Sequence, residues 1–286
     1  MKRRDFIQTS LLASGALAMS SFAVAADKKN IGVQLYSLRD VIFKDPKGVL
    51  KQVADFGYTE LETFAYKDDS TIFGMPFAEF GTYTKSIGLN VVSGHYGIDL
   101  MKGVNWEKAV LDAKSIGQKY MIMPYLMEKD RPKDIPGYKE LGKALNKAGE
   151  VCKKHGIRFG YHNHAFEFET VDGQIPLDVM LKEVDPKLVT FELDLYWTYN
   201  ANQDPLKYFE KYPGRFELWH VKDMSKEDRT KNVNVGEGSI DFKSIFAKAK
   251  QSGMKHYFIE YDTFPAEATS LKSVETSAAN IKKILS

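Results

Sequence analysis

Cysteine is almost absent from this chain, because Cys152 is the only one among its 286 residues. A single thiol cannot form a disulfide within the chain, so no covalent crosslink would stabilise the fold in an oxidising compartment. Cys152 lies in a segment of helical pattern, where it is interpreted as a small buried residue and not as a nucleophile. The sequence also lacks a G-x-S-x-G turn, and it therefore offers no serine nucleophile of the hydrolase type.

An excess of charge of either sign is missing as well. The chain has 40 Lys and Arg against 38 Asp and Glu. Without Lys2, Arg3, Arg4 and Asp5, which fall in the first 25 residues, 37 of each remain. A neutral body gives no electrostatic reason to expect nucleic acid or an anionic membrane as a partner.

The apolar run near the N-terminus, from Leu11 to Val24, is short and is interrupted by Ser and Gly. A membrane anchor is one interpretation, but a span needs about 20 mostly apolar residues. Arg3 and Arg4 precede the run, and Ala23-Val24-Ala25 at its end has the small-x-small pattern of a signal peptidase site. We therefore predict a twin-arginine signal peptide over residues 1–25, cleaved after Ala25, and a periplasmic or otherwise exported protein without membrane insertion.

Residues 26–286 alternate between short β-branched or aromatic runs and amphipathic helical patterns. Eight strands are predicted, mostly about 30 residues apart: Ile31–Tyr36, Thr59–Phe64, Asn90–His95, Tyr120–Pro124, Arg158–His162, Val189–Asp194, Glu217–Val221 and Tyr257–Tyr261. Helices that are each followed directly by Gly are predicted at Lys47–Phe56, Trp106–Ile116, Leu141–His155 and Asp241–Ser252.

Eight strand–helix units in series indicate a parallel sheet with right-handed crossovers. A closed (β/α)8 TIM barrel takes about 250 residues as one domain. An open doubly wound sheet is the alternative, but such a sheet usually carries a Gly-rich phosphate turn after its first strand. The segment QLYSLR at residues 34–39 contains no Gly, and we therefore predict a single α/β TIM barrel over residues 26–286.

Histidine and acidic residues collect at the predicted strand ends. Four of the six His do so, namely His95, His162, His164 and His220. His155 and His256 fall at a helix end and at a strand start, and they are interpreted as structural. Because the active site of a TIM barrel lies at the C-terminal ends of the strands, the four strand-end His are predicted to meet there.

A divalent metal ion accounts for the polar residues that end strands five to eight, which are His162, Asp194, His220 and Glu260. Imidazole and carboxylate ligands on rigid elements suit Mn, Co, Zn or Mg, and the sequence does not choose among these ions. Each residue alone has an ordinary structural interpretation, such as a helix cap for Asp194 or an ion pair for Glu260. Four of them at corresponding ends of consecutive strands favour one bound divalent ion.

Six motifs make the chain similar to the xylose isomerase-like barrels, also called the sugar phosphate isomerase/epimerase family. They are GYTELE at 57–62, YHNHAFEF at 161–168, ELD at 192–194, HVKD at 220–223, VGEGSIDF at 235–242 and IE at 259–260. In ketose 3-epimerases of this superfamily, Glu, Asp, His and Glu from strands five to eight hold one metal, and both Glu move protons. The resemblance implies Asp194, His220 and Glu260 as three of these ligands, with His162 in place of the first Glu.

His162 changes the expected acid–base pair, because an imidazole replaces one carboxylate. Inosose dehydratases, and members that act on 3-keto-glycosides by β-elimination, are similar in this strand. The resemblance implies a metal-dependent isomerase- or epimerase-like enzyme that removes a proton next to a carbonyl of a small keto-sugar or keto-glycoside. A lyase or dehydratase of the same superfamily is the alternative. A divalent ion stabilises the negative charge that develops as such a proton leaves.

The strand-end positions and the resemblance assign roles to individual side chains. Proton transfer is predicted for Glu260, His162 and His164. Contacts to the substrate are predicted for Glu62, His95, Lys222, Glu237 and Trp197. Glu167 is interpreted as a residue that orients a neighbour. Aromatic residues make up 13% of the chain, and those that follow strand ends are expected to stack on sugar faces.

Two other classes of function compete with this hypothesis. Endonuclease IV, of the same superfamily, needs more His ligands and a basic face, but Trp197 stands three residues after Asp194 and no His lies between His220 and His256. An exported sugar-binding barrel without turnover would have lost a proton carrier, and none of the predicted ones is missing. We therefore expect a small carbohydrate as the partner and no nucleic acid. A homo-oligomer is compatible with these features.

Overall fold

The computed structural model describes residues 30–263 and 269–286. The predicted signal peptide at residues 1–25 lies outside the described residues. The central sheet has eight parallel strands. They are β1 (Gly32–Gln34), β2 (Glu60–Thr63), β3 (Asn90–Gly94), β4 (Tyr120–Met123), β5 (Arg158–His162), β6 (Val189–Asp194), β7 (Leu218–Val221) and β8 (His256–Ile259).

The strands are arranged around one axis in the order β3-β2-β1-β8-β7-β6-β5-β4, so the first and last strands are neighbours. The remaining seam lies between β3 and β4. Lys119 N donates to Val92 O across it at 2.8 Å, and Tyr96 N donates to Ile122 O at the same distance. Parallel strands in this cyclic order form the (β/α)8 architecture. The predicted TIM barrel is confirmed, and its sheet is nearly closed.

Helices connect the strands and pack against them. They are α1 (Pro46–Asp55), α2 (Phe77–Ser86), α3 (Ile98–Lys102), α4 (Trp106–Ser115), α5 (Ile135–Lys154), α6 (Pro176–Glu183), α7 (Leu195–Asn200), α8 (Pro205–Lys211), α9 (Phe242–Phe246), α10 (Ala249–Ser252) and α11 (Ser270–Leu285). Short 3-10 helices lie at Leu35–Leu38, Glu128–Asp130 and Phe166–Phe168. Within the described ranges, no helix combines the length and the apolarity that a membrane span requires.

Two predicted helix boundaries are wrong. α5 begins at Ile135 and not at Leu141. Pro136 is tolerated in the first turn, where its missing N–H would have no partner within the helix, but Gly137 is a poor helix former. The side chain of Asp134 caps this turn by accepting a hydrogen bond from Gly137 N at 2.8 Å. The helix predicted over 241–252 is divided into α9 and α10, because the backbone at Lys248 (φ −101°, ψ 8°) leaves the helical region.

The first strand is shorter than predicted. It ends at Gln34, and a 3-10 helix at Leu35–Leu38 takes the place of the predicted strand end at Tyr36. The Gln34 side chain stabilises this turn because its Oε1 accepts a hydrogen bond from Tyr36 N at 3.0 Å. The chain therefore turns at the C-terminal end of β1, and Tyr36 is placed at the mouth of the barrel.

The interior of the barrel holds a small apolar layer, formed by Val92, Tyr120, Ile122, Leu218 and Phe258. A larger core surrounds the strands, and Cys152 is completely buried in it, as predicted. His256 at the start of β8 forms a hydrogen bond with Glu60 at 2.8 Å. His155, after α5, forms one with Glu107 at 2.7 Å. Both residues lie away from the strand ends where the other His collect.

Candidate metal centre

The C-terminal ends of β5 to β8 bring together His162, Asp194, His220 and Glu260, and all four side chains are buried. Asp194 and His220 are register partners on β6 and β7, and Glu260 follows β8 directly. One potential ligand atom from each of the four lies within 4.8 Å of the others. These are the four residues that the sequence predicted as metal ligands.

The donor atoms of this cluster face a common point. His162 Nε2 lies 3.7 Å from Asp194 Oδ2, and His220 Nδ1 lies 3.8 Å from the same oxygen. Both atoms are buried beside a charged group, because Lys222 Nζ lies 3.0 Å from Asp194 Oδ2 and Glu260 Oε2 lies 2.6 Å from His220 Nδ1. Imidazole nitrogens and carboxylate oxygens this close together are a donor set that divalent ions accept. Ligands at about 2.0–2.2 Å from one ion lie roughly 3–4 Å from each other, so these residues fit a divalent metal.

Lys222 is a buried cation beside the cluster. Its Nζ lies 3.0 Å from Asp194 Oδ2, 2.8 Å from Glu260 Oε2 and 2.9 Å from Asp262 Oδ2. Burial alone would lower the pKa of Lys222, but the three carboxylates hold it well above its usual range. Burial alone would raise the pKa of Glu260, but Lys222 and His220 hold it well below its ordinary value. Both groups are therefore ionised.

Burial also shifts the pKa values of His162 at the end of β5, of His164 two residues later, and of Asp194 at the end of β6. It holds the pKa values of His162 and His164 well below the ordinary value for imidazole. A neutral imidazole is the form that binds a metal ion or accepts a proton. Burial also raises the pKa of Asp194 to about 6.

His95 follows β3 and is only 10% exposed through its side chain. Its Nε2 lies 3.1 Å from Oε2 of Glu62 and 3.1 Å from Oε2 of Glu192. Burial lowers the pKa of His95, but these two carboxylates raise it to about 9. The two carboxylates therefore favour the protonated form of His95.

Glu192 belongs to the cluster, although the sequence analysis did not predict it as a site residue. It lies two residues before Asp194 on β6, so both side chains face the interior of the barrel, and both are completely buried. This period of two was the signal that could have identified Glu192. The prediction used only Asp194, the last polar residue of this strand.

A cavity of about 470 Å³ adjoins the cluster. Its polar lining residues are His95, His162, His164, Lys222, Glu260 and Asp262. Aromatic rings line it too, namely those of Tyr36, Phe64, Tyr66 and Tyr125. Tyr36 and Tyr125 are 39% and 37% exposed, so part of each ring is accessible. Rings of this kind stack on the apolar faces of sugars.

His164 lies at the wall of this cavity with an uncommitted ring nitrogen. Its Nδ1 is buried and has no hydrogen-bond partner within the described part of the chain. The ring packs against Tyr125, with centroids 4.7 Å apart, and against Trp197 at 5.5 Å. Arg131 Nη2 donates to the Tyr125 hydroxyl at 2.6 Å. The predicted site residues His164 and Trp197 are thus neighbours. The sequence analysis did not predict the contact between His164 and Tyr125.

Glu167 orients the segment that carries His164. It is completely buried, its Oε2 accepts a hydrogen bond from His164 N at 2.8 Å, and its Oε1 accepts one from the Tyr161 hydroxyl at 2.6 Å. Burial raises the pKa of Glu167 to about 7 in spite of these two hydrogen bonds. The YHNHAFEF motif therefore folds back on itself and fixes the position of the His164 backbone.

Glu237 is not brought to the cavity. It is exposed, and its carboxylate accepts a hydrogen bond from Asn234 Nδ2 at 3.0 Å. The loop is organised by Asp223, whose Oδ2 accepts hydrogen bonds from Gly236 N at 2.8 Å and Gly238 N at 2.9 Å. A Cβ at Gly238 would lie 2.2 Å from Asp223 Oδ1. The VGEG motif thus closes a loop around Asp223, and this placement does not support the predicted contact of Glu237 with substrate.

Comparison with known proteins agrees with this fold. The xylose isomerase-like TIM barrel family matches residues 50–283. A sugar phosphate isomerase/epimerase from Parabacteroides distasonis ATCC 8503 superimposes with a TM-score of 0.79 and 32% identity, over 92% of this chain and 96% of that one. A xylose isomerase-like TIM barrel protein from Mycobacterium smegmatis, solved in complex with magnesium, has a TM-score of 0.67 and 17% identity, over 91% and 98% of the two chains.

An inosose dehydratase from Clostridium tetani (strain Massachusetts / E88) is 28% identical over 153 residues, which are 47% of this chain and 50% of that protein. The match thus spans about half the length of this curated relative.

Proposed function

Since the chain belongs to the xylose isomerase-like TIM barrel family, we propose that it is a metal-dependent enzyme that acts on a small keto-sugar or keto-glycoside. The proposed reaction begins with removal of the proton next to a carbonyl. The observation that carries this proposal is the convergence of two imidazoles and two carboxylates beside a cavity with aromatic walls.

The metal would be held by His162, Asp194, His220 and Glu260. When bound, a divalent ion supplies the positive charge that stabilises negative charge developing on the substrate oxygen. Mn, Co, Zn and Mg all suit this mixture of nitrogen and oxygen donors. The relative from M. smegmatis that was solved with magnesium supports a metal ion in a barrel of this kind.

Two side chains on different strands would move the proton. His164 offers an uncommitted, buried Nδ1 at the cavity wall, and Glu260 lines the same cavity from the end of β8. His162 is a third candidate, because its ring also lines the cavity. The Lys222 ammonium lies 2.8 Å from Glu260, and it would hold that carboxylate in place and stabilise charge on a nearby oxygen of the substrate.

Two outcomes share this first step. If the proton returns to the carbon, the product is an isomer or an epimer of the substrate. If the C–O bond at the neighbouring carbon breaks instead, its electron pair leaves with the oxygen, a carbon–carbon double bond forms, and the oxygen takes up a proton. The inosose dehydratase relatives and His162 in place of Glu favour this elimination as the second candidate function.

Removal of one carboxylate ligand tests the metal site. We expect Asp194→Ala to lose most of the divalent metal that the wild-type protein retains, because Asp194 would supply one of the four ligands. Metal content measured by mass spectrometry on the purified proteins checks this. Asp178→Ala, on α6 outside the barrel, is the control. Full metal content in Asp194→Ala would refute the assignment.

A substrate panel tests the chemistry. Metal-loaded protein would be incubated with free ketoses, inososes and 3-keto-glycosides, and the products identified by NMR. An isomer supports the first outcome, and an unsaturated or dehydrated product supports the second. If the protein binds these sugars without converting any of them, the sugar-binding barrel without turnover is the better description.

A further inference from the structure

We propose that Glu62 and Glu192 form a buried carboxylate floor that decides which nitrogen His162 and His220 present to the metal. The floor would hold Nδ1 of His162 and Nε2 of His220, so that Nε2 of His162 and Nδ1 of His220 face the ion. This inference rests on the proposed metal site, and it makes both glutamates positioning residues.

Glu62 is completely buried, and both of its oxygens are committed to protein groups. Its Oε1 accepts a hydrogen bond from the Ser93 hydroxyl at 2.6 Å. Its Oε2 accepts one from Gln34 Nε2 at 2.9 Å and forms another with His220 Nε2 at 2.6 Å. Because an ionised carboxylate can only accept, His220 Nε2 must carry the proton of this bond. Because Glu62 is completely buried and is not among the residues that line the cavity, this placement does not support the predicted contact of Glu62 with substrate.

Glu192 extends the floor under the other imidazoles. Its Oε2 lies 3.1 Å from His220 Nε2, 3.1 Å from His95 Nε2 and 3.2 Å from His162 Nδ1. One carboxylate oxygen thus touches three imidazole rings, each on a different strand end. His162 Nδ1 has no hydrogen-bond partner within the described residues, so Glu192 would act on it through charge, which favours a proton on the nitrogen that faces the carboxylate.

The opposite nitrogens of the two ligand rings face the other carboxylates. His162 Nε2 lies 3.7 Å from Asp194 Oδ2, and His220 Nδ1 lies 2.6 Å from Glu260 Oε2. An imidazole that binds a metal ion keeps one N–H and gives its one lone pair to the ion. If the floor fixes the N–H, the lone pair is directed to the metal position. Carboxylates in this arrangement also make the ligand more basic, and their loss typically lowers metal affinity about 10- to 100-fold.

A different metal position would use the floor itself, since His95, His162, Glu192 and His220 also bring ligand atoms within 4.8 Å of one another. That position would need His220 Nε2 as a ligand. The same nitrogen is already bonded to Glu62 at 2.6 Å. The geometry therefore favours Glu192 as a support for ligands over Glu192 as a ligand.

Cobalt binding distinguishes Glu192 as a support for the ligands from Glu192 as a ligand. Co²⁺ would be titrated into metal-free wild-type protein, Glu62→Gln, Glu192→Gln and Asp194→Asn, with affinity taken from competition with a chelator and coordination from the visible absorption spectrum. We expect the two floor variants to weaken binding about 10- to 100-fold and to keep a four-ligand spectrum with shifted bands. Asp194→Asn should lose more affinity than either and change the spectrum more.

The matched control is Glu60→Gln. Glu60 is also a buried glutamate of β2 paired with an imidazole, that of His256 at 2.8 Å, but it lies at the opposite end of the strand. Its loss should leave Co²⁺ affinity unchanged. Ser93→Ala, which removes one donor to Glu62 and keeps the charge, replaces Glu62→Gln if that variant does not fold, and it should weaken binding by a smaller factor.

Nitrogen-15 NMR of the histidine rings in Zn²⁺-loaded protein shows directly which nitrogen of each ring carries a proton and which binds the metal. We expect a proton on Nε2 of His220 and on Nδ1 of His162, with the other nitrogen of each ring bound to metal. The opposite pattern, or wild-type affinity in both floor variants, would overturn the proposal. So would loss of binding in Glu192→Gln with normal binding in Asp194→Asn.

An error in the proposed metal site would give a different result from an error in the proposed role of Glu62 and Glu192. If wild-type protein takes up no metal, the proposed function fails. The floor is then still tested in metal-free protein, where the proton on His220 Nε2 should exchange slowly with solvent and should lose this protection in Glu62→Gln. Rapid exchange in the wild-type protein would overturn the floor.

Discussion

We predict that burial of the Glu167 carboxyl group makes the stability of this barrel depend on pH. Glu167 is completely buried under His164, and burial raises its pKa to about 7 from the ordinary 4.5. The folded state therefore keeps this proton at pH values at which the unfolded chain has released it. The contribution of Glu167 to stability is fully present below pH 4.5 and is lost as the pH rises through 7, by about 3 kcal/mol at most.

We expect Glu167→Gln to remove this dependence. Its free energy of unfolding, relative to wild type, should be higher at pH 8 than at pH 4.5, because the amide does not ionise. Urea denaturation at both pH values measures the difference. Glu169→Gln, an exposed neighbour in the chain, should show no such change. Equal pH slopes for wild type and Glu167→Gln would show that this group does not titrate between the two states.

Single residues also mark where sequence reasoning succeeded and where it failed. The ends of β5 to β8 could be located from pattern, so the grouping of His162, Asp194, His220 and Glu260 was predictable. The loop at 235–242 was not, because its path depends on hydrogen bonds to Asp223 that no local pattern shows. Glu237 was predicted to contact substrate, but it is not among the residues that line the cavity.

At the scale of elements, the buried strands were the most predictable part of the chain. β5 and β6 have the predicted bounds, and all of their residues except Arg158 are buried. β1 and α5 differ because side chains decide their ends, through Gln34 in one case and Asp134 in the other. Capping of this kind overrides the propensities on which the boundaries were predicted.

The cap of α5 can be tested directly. Asp134→Ala removes the hydrogen bond from Gly137 N in the first turn, and we expect a loss of about 1 kcal/mol in the free energy of unfolding. Chemical denaturation checks this. Glu140→Ala on the same helix removes only an exposed ion pair with Lys143, and its cost should be smaller. Equal effects of the two variants would argue against the cap.

At the scale of the whole molecule, we propose that the protein is exported. The motif Arg3-Arg4 and the site Ala23-Val24-Ala25 support this, and they predict a mature chain that begins at Ala26. Mass spectrometry of protein from a periplasmic fraction measures the N-terminus. A variant with Lys at both arginine positions should remain in the cytoplasm with its first residues intact. Periplasmic protein that still begins at Met1 would contradict the predicted cleavage.

Proton abstraction beside a carbonyl is the step on which the proposed function depends, and isotope exchange measures it most directly. Metal-loaded protein would be incubated with a converted substrate in deuterated water, and Glu260→Gln would be run in parallel. We predict deuterium at the carbon beside the carbonyl in recovered substrate, or a primary isotope effect on product formation, and a rate about 10²- to 10⁴-fold lower in Glu260→Gln. Active enzyme with neither label nor isotope effect, together with undiminished turnover by Glu260→Gln, would contradict proton abstraction.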